Sequence, residues 1–283
     1  MTEVNLRKSP AKFSIPKISS NVWKVWQRNA DVFTKTIGVN FLPSMLEPIL
    51  YLFAFGFGLG GFISEINGAS YINFIAPALV AISLMHGSFL ECTYGSFVRM
   101  YYQKTFDAIV ATPISIEEVV AGELLWGATR GIINSSIVLA VIGISGLFTS
   151  QPLITAPYFL LIPIIAFFGG LMFAAIAMCF TAFAPNIDFF NYPMFLLITP
   201  MLFLCGTFFP ISSLPHTAQG VALTVLPLTH IINLTRGVLT GSTETIFGLS
   251  TQALIPIGII WLIIVTAIFF IVSINIMKKR LIR

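Results

Sequence analysis

The chain has 283 residues, of which 57% are hydrophobic and only 9% are charged. Soluble domains carry about 25% charged residues, and a chain of this length cannot bury so much apolar surface in water. The composition therefore excludes a soluble enzyme, a disordered tail and a nucleic-acid-binding domain, and it indicates an integral membrane protein. The net charge of +4 does not predict a nucleic-acid partner, because the basic residues flank apolar segments.

The N-terminal region, residues 1–38, is basic and amphipathic. It holds seven Lys/Arg residues and no apolar run long enough for a secretory signal, so we predict an uncleaved cytoplasmic segment. Apolar residues recur there at helical spacings of three and four. We predict an amphipathic helix on the inner leaflet; the alternative is a stub that faces solvent. The predicted apolar face consists of Val22, Trp26, Ala30, Phe33 and Ile37.

Six apolar segments are long enough to cross a bilayer, which takes about 20 residues. None of them alternates apolar and polar residues as a barrel strand would. The predicted fold class is therefore an all-α integral membrane protein with six transmembrane helices in one domain, 39–283. The predicted spans are 40–61, 72–94, 128–148, 157–184, 189–209 and 252–277.

The distribution of Lys and Arg predicts the orientation of these spans. Thirteen such residues lie in the N-terminal region, the 95–127 loop and the C-terminus, whereas the loops on the opposite side hold one, Arg236. Cytoplasmic loops are enriched in Lys and Arg. Both termini are therefore predicted to be cytoplasmic.

The cytoplasmic loop 95–127 is predicted to form a helix, a break and a second helix. Residues 106–110 can form a short helix, which Thr112-Pro113 interrupts. Ser115 and Glu118 have the spacing of a capping box, which would start the helix leading into the third span. Such a loop can dock a partner protein; the alternative is a solvated connector.

The loop 210–251 is predicted to face the outside, yet it is rich in apolar residues and is interrupted by Pro210, Pro215 and Pro227. A fully aqueous loop would be more polar. We predict outer re-entrant helices before the last span, since broken helices at membrane depth are tolerated when they pack in protein or line a cavity.

No motif for catalysis is present in the sequence. The P-loop pattern and the common hydrolase and metalloprotease motifs are absent, and the three cysteines lack CxxC spacing, so no catalytic or metal residues are predicted. Ionisable residues inside apolar spans need an explanation, because each is costly in hydrocarbon. Glu47, before Pro48, is either a transport-pathway carboxylate or a buried hydrogen-bonding group. Glu91 and Arg130 are expected to pair near the inner interface.

Several stretches of the chain resemble the membrane permeases of ABC-2 type exporters, in particular the nodulation-factor (lipo-oligosaccharide) and daunorubicin-resistance branches. The most specific stretch is Pro-Leu-x-His followed six residues later by Arg. Cys205-Gly206 departs from the expected Ser-Gly but keeps a small residue. The matching stretches are 47–52 running into 55–60, 112–113 through 122–124, 199–206 with 209–210, 214–215, and 227–230 with Arg236.

This resemblance implies six transmembrane helices, a homodimer of this chain and two copies of a separate ABC ATPase subunit on the cytoplasmic side. ATP and Mg would bind to that subunit, and this chain would hold no cofactor. A coupling helix would lie near 106–113, and the N-terminal helix would also touch the ATPase. The residues implied for coupling are Phe106, Asp107, Ile109, Thr112 and Pro113.

The resemblance also implies that the outer segment closes the transport pathway. The leading hypothesis is thus an export permease of the bacterial inner membrane that moves an amphipathic or glycolipid-like substrate. The alternative is an ion-gradient-driven secondary transporter that uses Glu47 and Glu91, although no internal repeat is visible. A membrane scaffold and a membrane enzyme explain fewer features. The residues implied for the pathway and its gate are Glu47, Pro48, Gly206, Pro210, Pro227, His230 and Arg236.

Overall fold

The computed structural model describes residues 15–38, 46, 49–58, 60, 62–63, 65–66, 70–146, 153–241, 246–249 and 251–282. Within these ranges the fold is helical, and Ile246 and Leu249 form an isolated β-bridge. The principal helices are α1 Val22–Lys35, α2 Tyr71–Tyr102, α3 Thr105–Val110, α4 Ile116–Gly146, α5 Pro157–Phe183, α6 Ile187–Leu204, α7 His216–Thr224, α8 Pro227–Thr240 and α9 Thr251–Leu281.

Five of these helices, α2, α4, α5, α6 and α9, are long and apolar enough to cross a membrane. They correspond to the second through sixth predicted spans. The first predicted span, 40–61, is described only in part; its Leu52–Gly58 portion is π-helical. The multi-pass helical fold predicted from the sequence is confirmed for the part of the chain that the structure describes.

Two of the spanning helices continue beyond the predicted spans. Helix α4 begins at Ile116, where the predicted capping box starts a helix leading into the third span, and α2 continues to Tyr102, past the predicted end of the second span at 94. Both extensions carry charged residues that lower the hydropathy of the sequence, although these charges are paired in the fold. The connection between α2 and α4 is therefore short and consists of α3 and the residues that flank it.

The segment before α9, which is predicted to face the outside, forms a bent pair of helices. The axes of α7 and α8 differ by 86°, and together they pass the same length and apolarity test as the spans. Helix α8 is buried along most of its length, whereas Val221 and Val225 of the α7 segment are exposed. Re-entry of this pair into the outer leaflet stays a prediction.

The helices pack most closely where α2, α4 and α5 cross. A Cβ atom on Gly127 of α4 would lie 2.5 Å from the Cys92 sulfur of α2 and 2.9 Å from the Ala174 Cβ of α5. Small residues at such crossings let helix backbones approach in a membrane. The position therefore has no space for a side chain.

We expect Gly127→Ala to lower the free energy of unfolding by about 1–3 kcal/mol, because the added methyl group forces the three helices apart. Gly143→Ala on the same helix is the matched control. Its Cβ would meet Ile154 at 3.9 Å, an ordinary contact, so its effect should stay within about 0.5 kcal/mol. Thermal unfolding in mild detergent measures both, and equal stability of the two variants would contradict this account of the crossing.

Candidate functional site

A carboxylate is buried near the connection between α2 and α4, on the predicted inner side of the membrane. Glu123 of α4 is 1% exposed, and its two oxygens accept hydrogen bonds from α1 and α2. Asn29 Nδ2 donates at 2.7 Å and Ser96 Oγ at 2.6 Å, while Arg99 donates through Nε at 2.9 Å and through Nη2 at 2.6 Å. This one side chain thus joins three helices.

Arg99 extends the network to a second carboxylate. Its Nη1 lies 2.8 Å from Glu91 Oε1, and Glu91 Oε2 lies 3.3 Å from Arg130 Nε. The Arg130 guanidinium in turn stacks 4.5 Å from the centre of the Phe33 ring. Because Phe33 and Asn29 are one turn apart on α1, the chain of contacts begins and ends on that helix. The predicted pairing of Glu91 with Arg130 is confirmed.

These four charged groups balance one another: two carboxylates alternate with two guanidinium groups. Buried charges are tolerated when each is paired and its remaining donors and acceptors are hydrogen-bonded. Helix α2 widens into π-helical turns at Glu91–Gly95 and Val98–Tyr102, and such turns are frequent at functional sites. We name Asn29, Glu91, Ser96, Arg99, Glu123 and Arg130 the inner polar network.

Helix α1 packs on α4 and buries Val22, Val25 and Asn29 against the protein. Of the predicted apolar face, Val22 is buried, Trp26, Ala30 and Phe33 are half-buried, and Ile37 is 50% exposed. Gly122 of α4 permits this approach, since a Cβ there would lie 2.6 Å from the Cβ of Val25. The polar Asn29 turns inward because it meets Glu123. Contact of the outer face with the membrane surface remains a prediction.

Residues from the N-terminal and C-terminal regions of the chain both contact the first turn of α4. The predicted capping box is confirmed: Glu118 Oε2 accepts from the Ser115 backbone N–H at 2.7 Å, and the Glu118 N–H donates to Ser115 Oγ. Glu117 accepts the backbone N–H of Lys17 and pairs with Lys278 Nζ near the end of α9, both at 2.5 Å. Segments from the beginning, middle and end of the chain therefore meet at one helix terminus.

Helix α3 lies between α2 and α4 and starts after Lys104, whose left-handed backbone (φ 52°) breaks the path of α2. Phe106 is 1% exposed and belongs to the main hydrophobic core. Arg28 Nη2 of α1 donates to Thr105 Oγ1 at 3.4 Å. Helix α3 is therefore held in place by the side that faces the protein interior.

The residues predicted for coupling divide between two faces of this connection. Asp107, Thr112 and Pro113 are exposed, Ile109 is half-buried and Phe106 points inward. The four outer positions can therefore meet a partner. Phe106 is placed to hold the helix rather than to touch a partner.

The outer residues predicted for the gate are brought together around α8. Arg236 Nη2 donates to the carbonyl of Gly206 at 2.5 Å and to that of Phe74 at 3.3 Å, and its guanidinium lies 3.9 Å from the Phe74 ring centre. His230 Nε2 hydrogen-bonds with the Leu223 carbonyl at 2.8 Å, and its ring stacks on Trp261 at 4.5 Å. Arg236 thus ties α8 to the end of α6 and to α2.

The remaining predicted gate residues lie at helix boundaries or outside the described part. Pro227 starts α8 and is buried, while Pro210 precedes the short turn of Ile211–Ser213. Gly206 adopts φ +78° just after α6 ends, a conformation that favours glycine. Glu47 and Pro48 are outside the described residues.

The inner polar network contains four residues that were not predicted from the sequence: Asn29, Ser96, Arg99 and Glu123. Arg99 was counted only among the basic residues that indicate the orientation of the spans, and Glu123 was assigned to the 95–127 loop. The balance of charges could have revealed this network. Helices α2 and α4 each carry one Glu and one Arg of the network within largely apolar sequence, and charged residues in apolar spans usually pair with one another.

Comparisons with known proteins agree with this architecture. A family model described as ABC-2 type transporter matches residues 20–240. Nodulation protein J of Rhizobium meliloti (strain 1021) is 35% identical over 260 residues, which cover 91% of this chain and 97% of that protein. Nodulation protein J of Rhizobium leguminosarum bv. viciae is 33% identical over 270 residues, covering 95% and 98%.

A more distant relative is the inner membrane transport permease YadH of Escherichia coli (strain K12), 22% identical over 198 residues that cover 70% of this chain and 75% of that protein. No solved structure matches the chain significantly. The family model spans well over half of the chain, and the resemblance inferred from the sequence motifs is confirmed. With its several apolar spanning helices, this chain therefore belongs to the ABC-2 type transporter family as a membrane permease.

Proposed function

We propose that this permease is the membrane subunit of an ATP-driven exporter in the bacterial cytoplasmic membrane. Family membership makes it a transport subunit rather than an enzyme. The observation that carries the proposal is α3, which is exposed on one face and anchored by Phe106 on the other. Two copies of a separate ABC ATPase would dock on the exposed face and bind ATP and Mg.

The inner polar network is suited to pass movement of α3 to the spans. Arg99 lies six residues before α3, and Arg28 of α1 contacts its first residue, Thr105. A displacement of α3 therefore pulls on Arg99 and, through Glu123, on α4. Coupling elements transmit such shifts because a packed, fully paired cluster moves as a unit instead of deforming.

We propose that the permease works as a homodimer and moves an amphipathic or glycolipid-like cargo. Helix α6 exposes a large apolar surface, and in a membrane such a surface is covered by lipid or by another helix. A cargo with a lipid-like part can move along it without leaving an apolar environment. The exposed side chains include Tyr192, Phe195, Leu196 and Phe203.

The bent pair α7–α8 is proposed as the outer gate. Gly206, Pro210, Pro227, His230 and Arg236 lie at its hinges and contacts. The contacts of Arg236 with the Gly206 and Phe74 carbonyls hold α8 against α6 and α2. Opening would require α8 to move away from the end of α6.

The docking of an ATPase on α3 is tested with Asp107→Arg. Reversing a charge on the exposed face should reduce recovery of the ATPase with the tagged permease by about tenfold, because one unfavourable interface contact is worth roughly 1–2 kcal/mol. Extraction in mild detergent followed by mass spectrometry identifies and quantifies the partner. The unfolding temperature should stay unchanged, since the Asp107 side chain is exposed.

Asp188→Arg is the matched control for this experiment. Asp188 is also exposed and lies in the first turn of α6, on the same predicted side of the membrane. It should leave ATPase recovery intact. Recovery of the permease alone from the native membrane, or a normal yield of ATPase with Asp107→Arg, would overturn the proposed docking face.

The ion-gradient alternative loses support at Glu91. Its carboxylate is engaged by two guanidinium groups, of Arg99 and Arg130. A carboxylate that exchanges protons or ions during transport needs access to an unpaired state. The inner polar network instead favours a structural role for Glu91.

A further inference from the structure

Helix α8 buries a row of polar side chains on one face. Thr229, Asn233 and Arg236 are spaced four and three residues apart, so they lie on the same side of the helix. All three are buried. Arg236 bonds to the carbonyl of Gly206, and Thr229 lies beside Cys205. The row therefore faces the turn that follows α6.

Three side chains at this contact, those of Thr207, Thr229 and Asn233, carry buried polar atoms that have no hydrogen-bond partner among the residues described. Asn233 is 2% exposed, and neither its amide oxygen nor its amide nitrogen is hydrogen-bonded; the hydroxyl of the fully buried Thr207 is in the same condition. An unbonded polar group in an apolar environment raises the free energy of the state that buries it. These unbonded groups therefore raise the free energy of the closed state, in which α8 packs against this turn.

Other polar side chains of α8 are hydrogen-bonded. His230 bonds to the Leu223 carbonyl, and Thr235 Oγ1 donates to the Pro77 carbonyl at 3.1 Å. The unbonded Asn233 lies between Thr229 and Arg236 in this row. Those two residues contact Cys205 and Gly206, where α6 has ended and the backbone is irregular. Irregular backbone at membrane depth is tolerated when it is buried in protein or lines a water-filled cavity. The unbonded side chains and the irregular backbone are both explained if this surface is buried in protein in one state and lines a water-filled cavity in another.

We propose that Thr207 and Asn233 form part of the pathway wall at the outer gate, closed in this structure and reached by water when α8 separates from the turn after α6. The inference deepens the proposed role of α7–α8 as the gate and rests on it. Water supplies the donor and acceptor that the amide and hydroxyl lack, so hydration favours the open state. Removing the polar groups shifts the population towards the closed state.

The first test measures stability. Asn233→Leu keeps the side-chain size and removes the unbonded amide, so we expect the unfolding temperature in detergent to rise by about 2–4 °C. Thr235→Val on the same helix is the control, because it removes a hydrogen bond that is made, and its unfolding temperature should fall. A fall of similar size with Asn233→Leu would overturn the proposal.

The second test measures access of water in cells. Thr207→Cys is placed in a chain whose three native cysteines are replaced by alanine, and a membrane-impermeant thiol reagent is added to the outer face. We expect labelling in energised cells, and roughly tenfold slower labelling when Asn233→Leu is added. Ile232→Cys, fully buried on another face of α8, should remain unlabelled.

The outcomes separate this inference from the exporter proposal. Labelling of Thr207→Cys that requires cellular ATP supports both. Labelling that is equal in energised and ATP-depleted cells supports the hydrated wall and contradicts ATP-driven opening. Absence of labelling in energised cells, with the variant folded and present in the membrane, overturns the inference.

Discussion

Glu123→Gln is expected to lower the free energy of unfolding by about 3–5 kcal/mol, the effect of breaking a buried ion pair by removing one partner. The amide matches the carboxylate in size, so no cavity is created. It lacks the negative charge that Arg99 requires, and its NH2 group would face the donors of Ser96 or Asn29. In thermal unfolding of the detergent-solubilised protein this corresponds to a fall of roughly 10 °C.

Two further variants decide whether the lost charge is responsible. Asp188→Asn removes an exposed carboxylate and should change stability by no more than about 0.5 kcal/mol. Combining Glu123→Leu with Arg99→Met removes both partners of the pair and should recover much of the stability, because apolar residues replace buried charges at little cost. If the double variant is less stable than Glu123→Gln alone, the pairing of these two residues is not the source of the effect.

Phe106→Ala is expected to have a comparable effect on folding, about 3–5 kcal/mol, because it empties the position that anchors α3 in the core. Docking of the ATPase should weaken as well, since α3 loses its support. Unfolding temperature and ATPase recovery should therefore both fall. This result differs from that of Asp107→Arg, which should lower ATPase recovery alone.

Val110→Ala is the matched control for Phe106→Ala. It truncates an apolar side chain on the same short helix, but Val110 is 38% exposed, so its effect on stability should remain below about 1 kcal/mol. A Phe106→Ala protein with normal stability and reduced ATPase recovery would mean that Phe106 itself touches the partner. The inward position of its side chain would then change on docking.

The sequence was sufficient to predict the features that depend on local pattern. The apolar runs from 72 to 277 coincide with α2, α4, α5, α6 and α9, because a spanning helix must be apolar along the whole length that crosses the bilayer. The capping box at Ser115 and Glu118 needs residues only three apart. The Glu91–Arg130 pair was also expected, since charges in hydrocarbon require partners.

Features that depend on tertiary contacts were not predictable in the same way. Hydropathy placed the start of the third span at 128, because it counts Glu117, Glu118 and Glu123 as polar regardless of their partners. In the fold these groups are bonded to Lys278, Ser115 and Arg99 respectively. The inward turn of Asn29 on α1 likewise follows from the position of Glu123, which periodicity does not contain.

The meeting of Lys17 and Lys278 at Glu117 has a consequence for biosynthesis. Glu117 is 100 residues from Lys17 and 161 residues from Lys278. The contact with Lys17 can form as soon as α4 is in place, whereas the ion pair with Lys278 has to wait until α9 has left the ribosome and inserted. The junction is therefore assembled in two steps that are separated by the synthesis of α5 to α9.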